Sequence, residues 1–199
     1  MNVSAALIPC LAALFATAAP AADLKPMIDN ERVLVWDVPA GEKVPGPVAR
    51  HEYDMVKVSF ARNTGSAVFE PKGDKSNATP GSMRTLVIAL KEHKVPALPN
   101  TSGFADAFPR PGVKKLLDND RIVTWEYTWQ PGKPTPMHFH SRDVVLVYLD
   151  DGSLQSTTPD GQSVVNDYSY GQIKFNPGNR AHFELLVKGN QHAIMTELK

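Results

Sequence analysis

From residue 24 onward the apolar positions fall in short runs, and many of those runs alternate with polar residues. Alternation with a period of two is what a strand with one buried face requires. The pattern predicts strands at 32–37, 55–60, 67–69, 85–90, 121–129, 144–149, 154–157, 162–165, 172–175, 182–187 and 193–198. There is little helical periodicity. Pro159-Asp160-Gly161 and Pro177-Gly178 punctuate the later segments, at the spacing of a sandwich or barrel. An all-β chain is expected.

The first residues follow another rule. VSAALIPCLAALFATAAPAA, residues 3–22, is apolar, ends in small residues and is followed at once by the polar DLKP. That order reads as a secretory signal cleaved near Ala22, with the mature protein periplasmic or secreted. The uninterrupted apolar stretch is short for a membrane span, so no integral membrane anchor is expected. Cys10, the single cysteine, lies inside this segment, leaving the mature chain without a disulfide or a thiol ligand.

The pattern also repeats. NERVLVWDVPAG, from Asn30, lies on NDRIVTWEYTWQPG, from Asn119, with Trp36 matching Trp125. RHEYDMVKVSF then lies on FHSRDVVLVYL, and each half closes on a similar strand, VIALK and MTELK. The chain divides into residues 1–22 (signal), 23–91 (first copy), 92–112 (a proline-rich connecting loop that packs over the surface) and 113–199 (second copy). A tandem duplication of a small β unit is inferred.

Composition narrows the partners. Lys plus Arg and Asp plus Glu both number 21, so net charge is zero and nothing draws the chain to nucleic acid or an anionic membrane. The 17 prolines agree with many short strands joined by turns.

Candidate chemistry sits in the second half. In GKPTPMHFHSRDVVLVYLDDG, His138 and His140 stand at i and i+2 on an extended segment and project to one face. His182 follows a Pro-Gly turn and opens another strand, from which it can complete a face of three imidazoles. The competing reading is a metal-free barrel mouth in which these histidines hydrogen-bond a polar ligand or one another. Arg142 and Arg180 flank the motifs and are expected as solvated turn residues. Trp125, Tyr127, Trp129 and Tyr148 are expected to build core and pocket wall.

These residues resemble the motifs of the cupin superfamily. Its first motif runs Gly, five residues, His-x-His, three or four residues, Glu, six residues, Gly; Gly132, His138, His140 and Gly152 fall at those spacings. Its second runs Gly, five residues, Pro-x-Gly-x-x-His; Gly171, Pro177 and His182 match, with Gly178 shifted by one place. The resemblance covers residues 119–199 well and 30–91 weakly. It implies an all-β, double-stranded β-helix barrel of the jelly-roll kind, preceded by a degenerate cupin-like copy. It also implies a divalent metal, Fe, Mn, Zn or Ni, held by His138, His140 and His182.

The sequence departs from its relatives at the glutamate, where counting back from Gly152 finds Val145. Asp143 and Glu184 are the candidates to supply that carboxylate or to act as catalytic acid or base. Three neutral imidazoles leave a divalent ion's charge uncompensated, which favours hydroxide or an anionic chelating substrate in the open positions. In the first copy Ala49 and His51 lie on His138 and His140. One imidazole cannot hold a metal, so His51 is expected to be a polar or exposed residue making a local hydrogen bond beside Asp54.

Three functions stay open: a metal-dependent enzyme such as a dioxygenase, a hydrolase or an isomerase acting on a small polar or anionic molecule; a noncatalytic small-ligand-binding module; and a structural module that forms a homodimer through strand edges.

Overall fold

The computed structural model describes residues 24–74, 81–92 and 95–199. The expected signal with Cys10, and His93 of the connecting loop, lie outside the described residues. The chain is almost entirely β, as the alternation requires. Among the described residues no helix is long and apolar enough to cross a membrane.

The first half folds as one sheet. Its strands are β1 (Ile28–Asp29), β2 (Val33–Val38), β3 (Asp54–Ala61), β4 (Thr64–Glu70) and β5 (Arg84–Leu90), with the four-residue α1 (Gly46–Ala49) between β2 and β3. They lie in the order β1-β2-β5-β3-β4. The second half adds β6 (Ala105–Asp106), β7 (Lys114–Asp118), β8 (Ile122–Trp129), β9 (His138–His140), β10 (Val144–Tyr148), β11 (Gly152–Thr157), β12 (Ser163–Tyr168), β13 (Ile173–Asn176), β14 (Arg180–Gly189) and β15 (Gln191–Leu198). These form two facing sheets, β13-β10-β15-β8-β7 and β12-β11-β14-β9-β6, whose pairings are antiparallel apart from β6 with β9.

Read from the other edge, the first barrel sheet runs β7-β8-β15-β10-β13, the strand order of the N-terminal sheet. The sequence matches fall where that correspondence puts them: β2 on β8, β3 on β10 and β5 on β15. What the first half lacks, among the described residues, is the second sheet. A hairpin at residues 62–63 joins β3 directly to β4, where the second half inserts β11 and β12 before β13. The degenerate copy is thus half a barrel.

The half-barrel packs one face of its sheet against the complete barrel. Val33, Val35, Val56, Val58, Phe60, Leu86 and Ile88 meet Ile122, Val145, Val147, Leu149, Ile194 and Leu198 in one buried cluster. A second cluster, including Val123, Trp125, Trp129, Val144, Leu146, Tyr148, Ala193 and Met195, fills the barrel interior. Strand β10 therefore has apolar neighbours on both faces. That is why VVLVY reads as a continuous apolar run rather than an alternating one.

Polar contacts cross this interface reciprocally. Asn30 Oδ1 accepts from the backbone N–H groups of Arg32 and Val33, and Asn119 Oδ1 accepts from those of Arg121 and Ile122. Each turn aims its arginine at the other half. Arg32 donates to Asp143 at 2.8 Å and to the Lys199 carbonyl, while Arg121 donates to Asp54 and to the Lys91 carbonyl at 2.9 Å. The Asn-acid-Arg starts found in the sequence are therefore the two ends of a pseudo-two-fold clasp.

Candidate metal centre

Strand β14 pairs antiparallel with β9 so that His182 faces His138 and Arg180 faces His140. The three imidazoles close into a near-equilateral triangle, with ring centroids 5.0, 4.8 and 5.1 Å apart. Their ligating nitrogens all lie within 4.8 Å of one another. His138 Nε2 stands 3.2 Å from His140 Nε2. Bonds of about 2.0–2.1 Å to a tetrahedral ion put two nitrogens roughly 3.3 Å apart, so this pair is set at a coordination edge.

The tautomer of His138 suits that task. Its Nδ1 lies 2.8 Å from the Pro136 carbonyl, an acceptor only, so the proton resides on Nδ1 and the Nε2 lone pair faces the trio. All three rings are held neutral. Burial, then the Arg110 charge, lowers the His138 pKa to about 4, and burial, then the Arg180 charge, lowers that of His182 to about 3. His140 is pushed down further, again by burial first and by Arg180 next. Unprotonated imidazoles on convergent strands fit a divalent ion as a donor set.

The two carboxylate candidates separate. Glu184 shares the inward face of β14 with Arg180 and His182, and its Oε2 accepts a hydrogen bond from Trp129 Nε1 at 3.1 Å. Asp143 is not brought into the trio: its carboxylate accepts from Arg32 and from the Gly178 N–H, which fastens the turn before β14. The place where relatives carry glutamate also needs correction. Val145 turns its side chain into the cluster between the halves, and Val144 is the one that lines the pocket. Counting back from Gly152 gave the wrong parity, because residues 149–151 lie outside any strand and do not carry the alternation from β11 back into β10.

Two further expectations are corrected. Arg180 is not a solvated turn residue. It opens β14, lines the pocket, and burial lowers its pKa. The His51 imidazole is buried with neither ring nitrogen hydrogen-bonded and lies 3.8 Å from Glu70, while Asp54 serves Arg121 instead. The aromatic residues stand as expected: Trp125, Trp129 and Tyr148 are interior, with Tyr148 stacked on Tyr168 at 4.1 Å. Burial raises the Tyr148 pKa, so the phenol keeps its proton.

Arg110 was not singled out in the sequence. It stands in the connecting loop, between Pro109 and Pro111, and only 6% of its side chain is exposed. Its guanidinium lies 4.2 Å from the Tyr127 ring centre, and its Nη1 is 3.2 Å from His138 Nε2. Phe108, two residues earlier, stacks on Trp125 and meets His140 edge-on. The loop expected to cover the surface thus supplies one wall of the site. An arginine fenced by prolines just before a strand was the available signal.

Fold and site together define a double-stranded β-helix barrel with a histidine triad at its mouth. A cupin domain from Bordetella pertussis, known by crystal structure, is 30% identical; the match covers 97% of that chain and 46% of this one, with a TM-score of 0.41. A cupin 2 conserved barrel domain protein from Leptotrichia buccalis shares the fold over 92% of both chains, at 12% identity and a TM-score of 0.50. The chain belongs to the cupin superfamily. It is also 40% identical over 45 residues to the beta-alanine degradation protein BauB of Pseudomonas aeruginosa, 23% of this chain. The chain spans about half the length of that curated relative, 47%. No protein-family model matches the chain.

Proposed function

We propose that this is an exported cupin whose C-terminal barrel holds a divalent metal through His138, His140 and His182 and acts on a small polar or anionic molecule. The observation that carries the reading is the convergence of three neutral imidazoles, with the His138 lone pair turned inward by the Pro136 carbonyl. A metal there would supply Lewis acidity to a bound oxygen atom. Glu184, on the same inward face, is the group placed to take or return a proton, and Tyr148 is a fixed hydrogen-bond donor. Asp143 holds the halves together. The apolar stretch at 3–22 supports export, and the matching strand orders support descent of the two halves from one duplicated unit.

One observation favours a second reading, a metal-free binding module. Arg110 donates toward His138 Nε2, the lone pair that a metal would use. Metal analysis of untagged protein after loading with Fe, Mn, Zn or Ni separates the two. The metal reading expects about one equivalent, lost in His138→Ala and in His182→Ala. Less than about a tenth of an equivalent after loading, unchanged in both variants, leaves only the binding module. The name of the Pseudomonas relative makes small acids related to beta-alanine the first panel to try for turnover.

A further inference from the structure

The pocket beside the histidines holds more positive charge than it balances. Arg180 and Arg110 both line it, Arg110 with its Nη1 3.2 Å from His138 Nε2 and Arg180 opposite His140 in the pairing of β14 with β9. A guanidinium keeps its charge at neutral pH even when buried. Among the pocket-lining residues Glu184 is the one carboxylate, and its Oε2 is 4.0 Å from Arg110 Nη2, beyond a hydrogen bond. The imidazoles are neutral. Two cations therefore face one anion.

Arg110 is also short of acceptors. Its Nε is buried and unpartnered, and Nη1 reaches only His138. A buried guanidinium that lies against the Tyr127 and Phe108 rings with donors unfilled can receive a planar, two-oxygen anion. The space left among these side chains without a ligand has room for about one water, so a carboxylate enters only as the Arg110 side chain moves off His138.

We propose that Arg110 and Arg180 form a binding site for a small carboxylate, and that the carboxylate draws Arg110 away from His138 Nε2 and so raises the affinity of the trio for a divalent metal. The proposal deepens the functional reading above, because the coupling rests on metal binding at the trio. The clamp itself stands without a metal. The coupling follows from sharing one lone pair: while Arg110 donates to His138, that nitrogen is engaged. A carboxylate offers the guanidinium a stronger acceptor and adds negative charge beside the ion.

Calorimetry on metal-free protein with acetate, malonate, acetamide and inorganic phosphate tests the clamp. Acetate or malonate is expected to bind and acetamide not to. Arg110→Gln and Arg180→Gln are each expected to weaken binding at least about tenfold, as loss of a charged hydrogen-bond pair implies. Arg50→Gln, an exposed arginine of the first half, is the charge control and should change nothing. Thermal melts show whether each variant is folded, and Arg110→Lys, which keeps the charge but loses the fork, gives a second reading of the same site.

Cobalt(II) affinity, read from its visible absorption, tests the coupling. Saturating acetate should raise it at least about fivefold in the natural protein. In Arg110→Gln it should already be raised without acetate and should no longer respond. No carboxylate binding, binding undiminished in folded arginine variants, tighter binding of phosphate than of both carboxylates, or cobalt affinity indifferent to acetate overturns the proposal. Carboxylate binding that needs both arginines in a protein that takes up no metal sinks the metal reading and supports the clamp. Metal uptake with no carboxylate binding does the reverse.

Discussion

His138 shows how much one side chain is asked to do. The Pro136 carbonyl accepts a hydrogen bond from its Nδ1–H, Arg110 addresses its Nε2 lone pair, and burial keeps the ring neutral. That neutrality has a measurable consequence for stability in the metal-free protein. The pKa values of His138 and His182 fall from an unfolded value near 6.5 to about 4 and about 3. Below pH 6.5 the unfolded chain takes up protons that the native pocket refuses. Stability is therefore full above about pH 6.5 and declines as pH falls toward 4, by about 1.4 kcal/mol per pH unit for each such imidazole. Urea unfolding between pH 7.5 and 5 should show this decline, and His138→Gln should make it shallower. A slope that His138→Gln leaves unchanged contradicts the burial of a neutral ring. The trio itself was legible from spacing, since i and i+2 on a strand fix a common face whatever the rest of the fold does. Arg180 was legible in principle by the same parity, two residues before His182, but its place after a Pro-Gly turn suggested solvent.

Strands carry most of the information that the alternation offered. The predicted segments and the observed elements differ by a few residues at their ends. The short edge strands β1, β6 and β7 were missed because little of their surface is buried and little apolar pattern is needed. The inward side of β10 was not readable. A strand buried on both faces shows no alternation, and the turn between it and β11 does not transmit parity. Glycines of the motif have reasons that only packing supplies. A Cβ on Gly152, at the start of β11, would stand 2.2 Å from the Asn190 carbonyl oxygen and 3.0 Å from that of Lys188. Both obstacles are backbone, so the turn between β14 and β15 would have to shift. Gly152→Ala is expected to cost about 1–3 kcal/mol, read as a lowered urea midpoint with the slope unchanged. A midpoint equal to that of the natural protein would show that the turn yields freely.

At the scale of the molecule, the half-barrel and the barrel are joined by an apolar face and by the crossed arginines. Arg32 is almost wholly buried at this junction and Asp143 largely so. Removing the guanidinium leaves a largely buried carboxylate whose remaining hydrogen bond comes from the Gly178 N–H. Arg32→Ala should lower unfolding free energy by about 3 kcal/mol, and Arg32→Ala with Asp143→Ala together should cost less than the sum of the two single changes. Strict additivity would show that the pair does not couple the halves. The repeated Asn-acid-Arg pattern was visible in the sequence, but its reach into the opposite half was not, because nothing local says which carboxylate an arginine will meet. The clasp also alters how the barrel depends on concentration. Two separate chains sharing such a face would part on dilution, whereas a covalent tether keeps the companion sheet present at an effective concentration on the order of millimolar. The back of the barrel thus stays covered in a single isolated molecule, however thinly the protein is spread.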